Sequence, residues 1–450
     1  MTRLPLVGHT RPDQIVAWHR DRAITLAHFL SDVNHLANQL PERQYLFNMC
    51  TDRYRFTVGL AAAVLTGKVS LLPSTHTPEM VRQMQAFAPD VFCLHDTSHC
   101  SIALPQLRYP ELPEFHTLSG SDCTVPVIDR EQLIAIVFTS GSTGTPVPHH
   151  KYWGPVLQSV QSEAGRIGLS DHATACTVVG TVPAQHMYGF ESTVLIALQS
   201  GHALSGALPF YPADIVTALE AVPVPRILVS TPVHLRMLLE SGLELPDVTL
   251  VLSATAPLSL QLAHDVEARF NAPLQEIYGS TETGTIAARR PTQTMEWRLF
   301  DGVEFSQQGD QTTASGGHVM QPIIMNDVIE LTQDHCFLLH GRKADMINIA
   351  GKRSSLAHLN HLLNSIPGVL DGAFYMPDEE SHDHVVRLVA CVVAPTMTAQ
   401  LLMTALREHI DAVFLPRPLL LVSALPRNST GKLPRDALAT MIQALLDNQA

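Results

Sequence analysis

The chain has 450 residues, 46% apolar and 16% charged, a globular composition with enough length for about two to four domains. A net charge of −13 excludes a broad basic face for nucleic acid. Seven scattered cysteines with no C-x-x-C pair exclude a disulfide framework or such a zinc site and suit a reducing cytoplasm, and no apolar run reaches the roughly 18 residues of a membrane span.

In chain order, apolar residues at helical spacing predict a helix from Ala23 to Leu40, followed by a strand at 45–49. A helix at Phe56–Leu65, a strand at Val69–Pro73 and a helix at Pro78–Phe87 continue the alternation. Further strands are predicted at Ile134–Phe138, Ala175–Val182, Arg226–Ser230 and Thr249–Ser253, with helices at Trp153–Ile167 and Val233–Leu239. Alternating strands and helices predict an α/β protein with largely parallel sheets. Between Trp297 and Glu330, short alternating segments punctuated by glycine predict a small β element. Gly341–Gly351 reads as a linker to a compact α+β unit with helices at Leu356–Ile366, Ala399–Ile410 and Arg435–Leu446. Charge marks the same division. Residues 341–450 hold ten Lys and Arg against ten Asp and Glu, so all of the −13 lies in residues 1–340.

The strand Ile134–Phe138 runs into Thr139-Ser140-Gly141-Ser142-Thr143-Gly144-Thr145-Pro146. Glycines let backbone N–H groups approach an anion, and the hydroxyls add donors, so this turn is suited to phosphate. It is not a Walker loop, because no Lys-Ser or Lys-Thr pair follows the second glycine. An ordinary polar loop is the plain alternative.

Four other segments, in order, join this loop: Tyr278-Gly279-Ser280-Thr281-Glu282-Thr283-Gly284; Asp327 before Val-Ile-Glu-Leu; Gly341-Arg342-Lys343-Ala344-Asp345 with Gly351-Lys352-Arg353; and Pro426-Arg427-Asn428-Ser429-Thr430-Gly431-Lys432. Together they resemble the adenylate-forming acyl-activating superfamily of acyl-CoA synthetases, luciferases and peptide-synthetase adenylation domains. The resemblance spans nearly the whole chain. It implies a large N-terminal domain, residues 1–341, with doubly wound sheets and a small β subdomain. A small mobile α+β C-terminal lid, residues 342–450, would turn about Arg342–Asp345.

The resemblance also implies an activity. ATP would activate a carboxylic acid, aryl or fatty, as an acyl-adenylate. The acyl group would then pass to the phosphopantetheine thiol of coenzyme A or of an acyl carrier protein. The acid is already ionised at neutral pH, so the first step needs charge neutralisation and alignment rather than a general base. In this likeness Thr139, Ser140, Gly141, Ser142, Thr143 and Gly144 would hold the β- and γ-phosphates. Glu282 would hold Mg²⁺, Tyr278 and Gly279 would face adenine, and Thr281 would reach the α-phosphate. Asp327 and Arg342 would bind the ribose hydroxyls. Lys432 would neutralise charge in the transition state. His186, in Pro183-Ala-Gln-His186-Met-Tyr188, would orient the carboxylate or gate the thiol step. Ala254, in the small-residue run Ser253–Leu258, would leave room beneath adenine and the acyl group.

Three departures from the family pattern stand out. The lysine that usually follows the loop proline is replaced by Val147, and the first lysine is Lys151, which either closes a longer loop or is a surface residue. Ala344 occupies the usual hinge position of Asp or Lys. Only 44 residues separate Glu282 from Asp327, so the β subdomain is expected to be trimmed. The run Ile349–Arg353 and Trp297 resemble short bacterial ligases tied to aryl polyene or pigment synthesis. A degenerate nucleotide-binding protein of the same fold is the alternative from another class; a P-loop phosphotransferase is disfavoured by the missing Walker lysine. The oligomeric state stays open.

Overall fold

Helix Arg53–Leu65 is apolar on nearly every side, and its residues from Arg53 to Val64 are almost all buried. A helix of that composition has no solvent face to present. It lies between two sheets, against strands Tyr45–Asn48 and Val69–Leu72 of one and Ile15–His19 and Ala203–Ser205 of the other. The computed structural model describes all residues except 1, 21, 74, 111–122, 141–145, 170–173, 334, 343–345, 350–351, 378–386, 429–430 and 448–450.

The first sheet has six strands in the order Pro146–Tyr152, Leu133–Ser140, Val69–Leu72, Tyr45–Asn48, Val91–His95, Gln106–Arg108. All neighbours are parallel except the first pair, which is an antiparallel hairpin. The second sheet has eleven strands and a parallel centre running from Leu274–Ser280 through Leu250–Ser253, Arg226–Ser230, Thr177–Gly180 and Ala203–Ser205 to Ile15–His19. Its flanks are antiparallel: Arg22–Thr25 on one side, and Gly284–Arg289, Trp297–Leu299, Cys336–Arg342 and Asp327–Leu331 on the other. The expected small β element is a meander of Val303–Gln308, Gln311–Gly316 and Val319–Ile324.

Two expectations need correction. The helix expected from Ala23 begins at Leu26, because Arg22–Thr25 pairs with Ile15–His19 and the Thr25 hydroxyl caps the helix by accepting from His28 N. The expected linker Gly341–Gly351 is largely strand: Cys336–Arg342 completes the second sheet, and Met346–Ile349 forms a hairpin with Lys352–Ser355. Residues from Ile347 onward bury two cores of their own, on either side of a three-stranded sheet, Asp371–Tyr375, Val389–Val393 and Leu419–Leu421. Among the described residues no helix is long and apolar enough to cross a membrane.

Candidate functional site

The C-terminal ends of the second sheet's central strands carry the candidate residues, where open α/β sheets place their ligands. Strand Leu274–Ser280 delivers Tyr278 and Gly279 and turns back at Thr281-Glu282-Thr283 into Gly284–Arg289. The turn is knotted internally. Ser280 N donates to Thr283 Oγ1 at 3.1 Å, and Thr283 N donates to Ser280 Oγ at 3.2 Å. A Cβ on Gly279 would stand 2.1 Å from the Gly284 carbonyl, so only glycine permits this closeness.

Tyr278 and Asp327 are brought together. The Tyr278 hydroxyl donates to Asp327 Oδ2 at 2.5 Å, and the ring packs against Trp297 and Phe337. Asp327 and Arg342 are cross-strand partners in the antiparallel ladder. Ala254 follows strand Leu250–Ser253, whose Ser253 is level with Glu276 on the neighbouring strand. The next residue, Thr255, has φ +80°, a conformation L-residues rarely adopt and one concentrated at functional sites.

The loop expected to hold phosphate connects the hairpin Leu133–Ser140 with Pro146–Tyr152, whose last pair is Ser140 and Pro146. Gly141, Ser142, Thr143 and Gly144 lie outside the described residues. Thr139 Oγ1 is 2.9 Å from His149 Nε2. His149 Nε2 is also 3.6 Å from Glu282 Oε1. Lys151, two residues further along the same face, is not a surface lysine: it is 7% exposed. Its Nζ donates to the Thr281 carbonyl at 2.5 Å. Burial lowers the Lys151 pKa, and the charges of Glu191 and Glu282 oppose that shift. Burial likewise lowers the His149 pKa against the pull of Glu282.

His149 was not apparent from motif reasoning. The available signal was period two. Val147, at the usual lysine position, shares a strand face with His149 and Lys151, so two basic side chains follow on the side where one is missing. Glu282 itself is exposed at the turn, and no group of three or more metal-ligating side chains exists among the described residues. One carboxylate beside the loop expected to hold phosphate is compatible with Mg²⁺, whose sites commonly offer one or two carboxylates and leave the remaining positions to water and substrate phosphates.

His186 caps the short helix Met187–Gly189, its Nδ1 accepting from Tyr188 N. Burial pushes its pKa down to about 3, and the Lys432 ammonium adds to the shift, so the ring is neutral. The charge of Lys432 thus reaches His186, although the two lie on different units. The geometry of its loop explains how. A Cβ on Gly431 would meet Val233 Cγ2 at 3.3 Å and Thr231 Oγ1 at 3.6 Å, so the loop rests on the start of helix Pro232–Glu240. Gly431 has φ +77°, and Lys432 N donates to Asn428 Oδ1 at 2.9 Å. The Arg342 and Ser140 side chains, and the expected hinge residues Ala344 and Asp345, lie outside what is described.

A family model described as AMP-binding enzyme matches residues 8–328. A 4-coumarate--CoA ligase of Halorhodospira halophila is 32% identical over 311 residues, covering 66% of this chain and 73% of that protein. A 4-chlorobenzoate--CoA ligase of Arthrobacter sp is 25% identical over 353 residues, covering 69% and 66%. Among solved structures, o-succinylbenzoate CoA synthetase of Bacillus subtilis, in complex with its acyl-adenylate, superposes with TM-score 0.80 at 18% identity over 97% of this chain and 98% of that one. An anthranilate CoA ligase in complex with anthranoyl-AMP gives TM-score 0.81 at 15% identity over 97% and 96%. The last two establish the fold, and with the family match over residues 8–328 they show that the chain belongs to the AMP-binding enzymes.

Proposed function

We propose that this chain is an AMP-forming acid–thiol ligase that activates a carboxylic acid with ATP and passes the acyl group to a phosphopantetheine thiol. The observation that carries the reading is the seating of Gly431, the residue before Lys432, against Thr231 and Val233 of the large unit. In the first half-reaction a carboxylate oxygen attacks the α-phosphorus of ATP, and pyrophosphate leaves. Both reactants are anions. Lys432 offsets their repulsion, and neutral His186 orients the carboxylate without a competing charge. Thr281 serves the α-phosphate, with Thr139, Ser140 and the loop 141–144 on the outer phosphates. Asp327 and Arg342 hold the ribose, and Tyr278, Gly279 and Ala254 flank the base. Glu282 would hold Mg²⁺, which supplies charge neutralisation on phosphate oxygens. In the second half-reaction a thiol attacks the acyl carbonyl, and AMP leaves.

Coenzyme A is the acceptor that the relatives' names favour, with a carrier protein as the other source of the same thiol. The boundary between the large unit and the lid is placed at residues 341 and 342, and the site of action in a reducing cytoplasm, consistent with seven free cysteines. The test is ATP–pyrophosphate exchange across aryl, short and long acids. Exchange that depends on added acid supports the ligase. No exchange with any acid, despite bound ATP, leaves a nucleotide-binding protein without turnover.

A further inference from the structure

The strand face that carries Val147, His149 and Lys151 descends from solvent into the protein: Val147 is exposed, His149 half-buried and Lys151 buried. His149 is the middle step, and the chemistry above gives it no role. The antiparallel register sets Val147 opposite Thr139 and His149 opposite Val137, so Thr139 and His149 are diagonal neighbours on one face. Diagonal pairs lie within reach of long and aromatic side chains. Here the reach is used: His149 Nε2 is 2.9 Å from Thr139 Oγ1. The same nitrogen is 3.6 Å from Glu282 Oε1, on the turn of the other sheet. One ring nitrogen thus stands between the end of strand Leu133–Ser140 in the first sheet and the Thr281–Thr283 turn of the second.

The two contacts differ in kind. The first has the length of a hydrogen bond; the second is too long for one and leaves the Glu282 lone pairs open on that side. A threonine hydroxyl carries one proton and two lone pairs. Donation from Nε2–H into Oγ1 occupies a lone pair and turns the hydroxyl proton away from the ring, where it can donate to an anion. A neutral imidazole does this, so the role needs no second ring proton. Valine at 149 would leave the Thr139 rotor unset and remove the polar edge beside Glu282. Lys151, one step deeper, holds the backbone of the same turn through the Thr281 carbonyl. His149 is placed to set the side chains above it. A cross-strand bond that only ties the hairpin is the plain alternative, and it would serve the sheet equally with or without a nucleotide.

We propose that His149 is a positioning residue for the outer phosphates of Mg·ATP: it orients the Thr139 hydroxyl toward them and sets the edge against which the Glu282 carboxylate stands. The assignment rests on the reading of this chain as an ATP-dependent ligase. It separates His149 from the residues expected at the base and ribose, Tyr278, Asp327 and Arg342, because AMP lacks the phosphates that His149 serves. The property this residue controls is therefore the preference for ATP over AMP, and not the hold on adenosine.

The experiment is isothermal titration of the whole chain with Mg·ATP and with AMP, without acid, so that no adenylate forms. Wild type, His149→Val and His149→Gln are compared. In His149→Val the Kd for Mg·ATP should rise about tenfold, as for the loss of one hydrogen-bonded contact, while the Kd for AMP stays within about twofold and so reports an intact fold. His149→Gln, whose amide keeps a donor, should recover most of the loss. In acid-dependent ATP–pyrophosphate exchange the KM for Mg·ATP should rise with the Kd, and the KM for the acid should not. Equal weakening of ATP and AMP, no weakening of ATP, or a His149→Gln variant no better than His149→Val overturns the assignment. No exchange with any acid overturns the ligase reading, and the comparison of ATP with AMP still decides the role of His149. A wild type that binds neither nucleotide overturns both.

Discussion

Lys151 shows how much a single position can hide. Its type and its distance from the phosphate loop are legible in the sequence; its burial under Thr281 is not, because that depends on which face of strand Pro146–Tyr152 meets the opposite sheet. The same holds for Glu163, Glu191 and His318, which are far apart in the chain and meet behind one turn. Lys151 touches the Thr281 carbonyl, so it acts as a positioning residue for the Glu282 turn. Lys151→Met should raise the KM for Mg·ATP and slow adenylation by about 10- to 100-fold, while the KM for the acid changes little. Initial rates at varied Mg·ATP and varied acid decide it: a parallel rise in both KM values would mean a general loss of structure. Glu163 gives a second prediction, on stability. Its folded pKa, about 8, lies above the ordinary carboxyl value of 4.5, so the folded state holds a proton that the unfolded state releases. Stability from this group is intact below about pH 4.5 and falls as pH rises toward 8. Relative to Glu163→Gln, the wild type should therefore lose up to about 4 kcal/mol between pH 5 and pH 8.5. Urea melts of both proteins at the two pH values provide the check, and a constant gap would show that Glu163 is ionised throughout.

Elements with strong local punctuation were legible almost to the residue. Helix Pro78–Phe87 begins with Thr77 capping Met80 N and proline at its first position, and helix Pro232–Glu240 repeats the device with Thr231 and His234 N. The Arg22–Thr25 strand was hidden by contrast, since a short hairpin strand ahead of an amphipathic helix extends the helical spacing by chance. The antiparallel flanks of the second sheet were equally hidden, because pairing partners are chosen by tertiary packing and not by local pattern. The sequence pattern of helix Arg53–Leu65 starts at Phe56, and the burial of its first residue, Arg53, has no local signature. The reason Arg53 can be buried is hydrogen bonding. Its guanidinium donates to the carbonyls of Gly180, Val182 and Ala207 and to Thr193 Oγ1, all at 2.7–3.3 Å. These carbonyls end strand Thr177–Gly180 and the loops beside it, so one side chain gathers the chain ends above the sheet. Arg53→Met keeps the packing volume and strands several carbonyls. It should cost roughly 3 kcal/mol or more, since each buried group left unpaired costs about 1–3 kcal/mol. A fall in the urea midpoint with an unchanged m-value is the expected result; a midpoint within error of wild type would mean that water replaces the guanidinium.

At the scale of the whole molecule, helix Pro232–Glu240 is one place where the two units meet, the Ser355 hydroxyl donating to the His340 carbonyl being another. The start of that helix supports Gly431, and further along Arg236 Nη1 donates to the carbonyl of Leu370. The next residue, Asp371, accepts two hydrogen bonds from Arg427 at 2.7 Å, and Arg427 Nη1 donates to the Gly431 carbonyl at 3.0 Å. A continuous path of polar contacts thus runs from the large unit through Leu370, Asp371 and Arg427 to the residue before Lys432. It fixes the loop relative to its own unit and sets that unit against the helix beside His186. In the proposed reaction this arrangement would serve adenylation, where like charges on carboxylate and α-phosphate must converge. Lys432→Ala removes the ammonium proposed to face them and should slow ATP-dependent synthesis by about 10²–10³. Thioester formation from a presynthesised acyl-adenylate has no such convergence of anions, and a rotated lid would carry Lys432 away from it. Supplying the variant with acyl-adenylate and thiol should therefore restore near wild-type rates. Equal loss in both assays would show that Lys432 serves both steps or the fold, and one fixed arrangement of the two units would then suffice for the whole reaction.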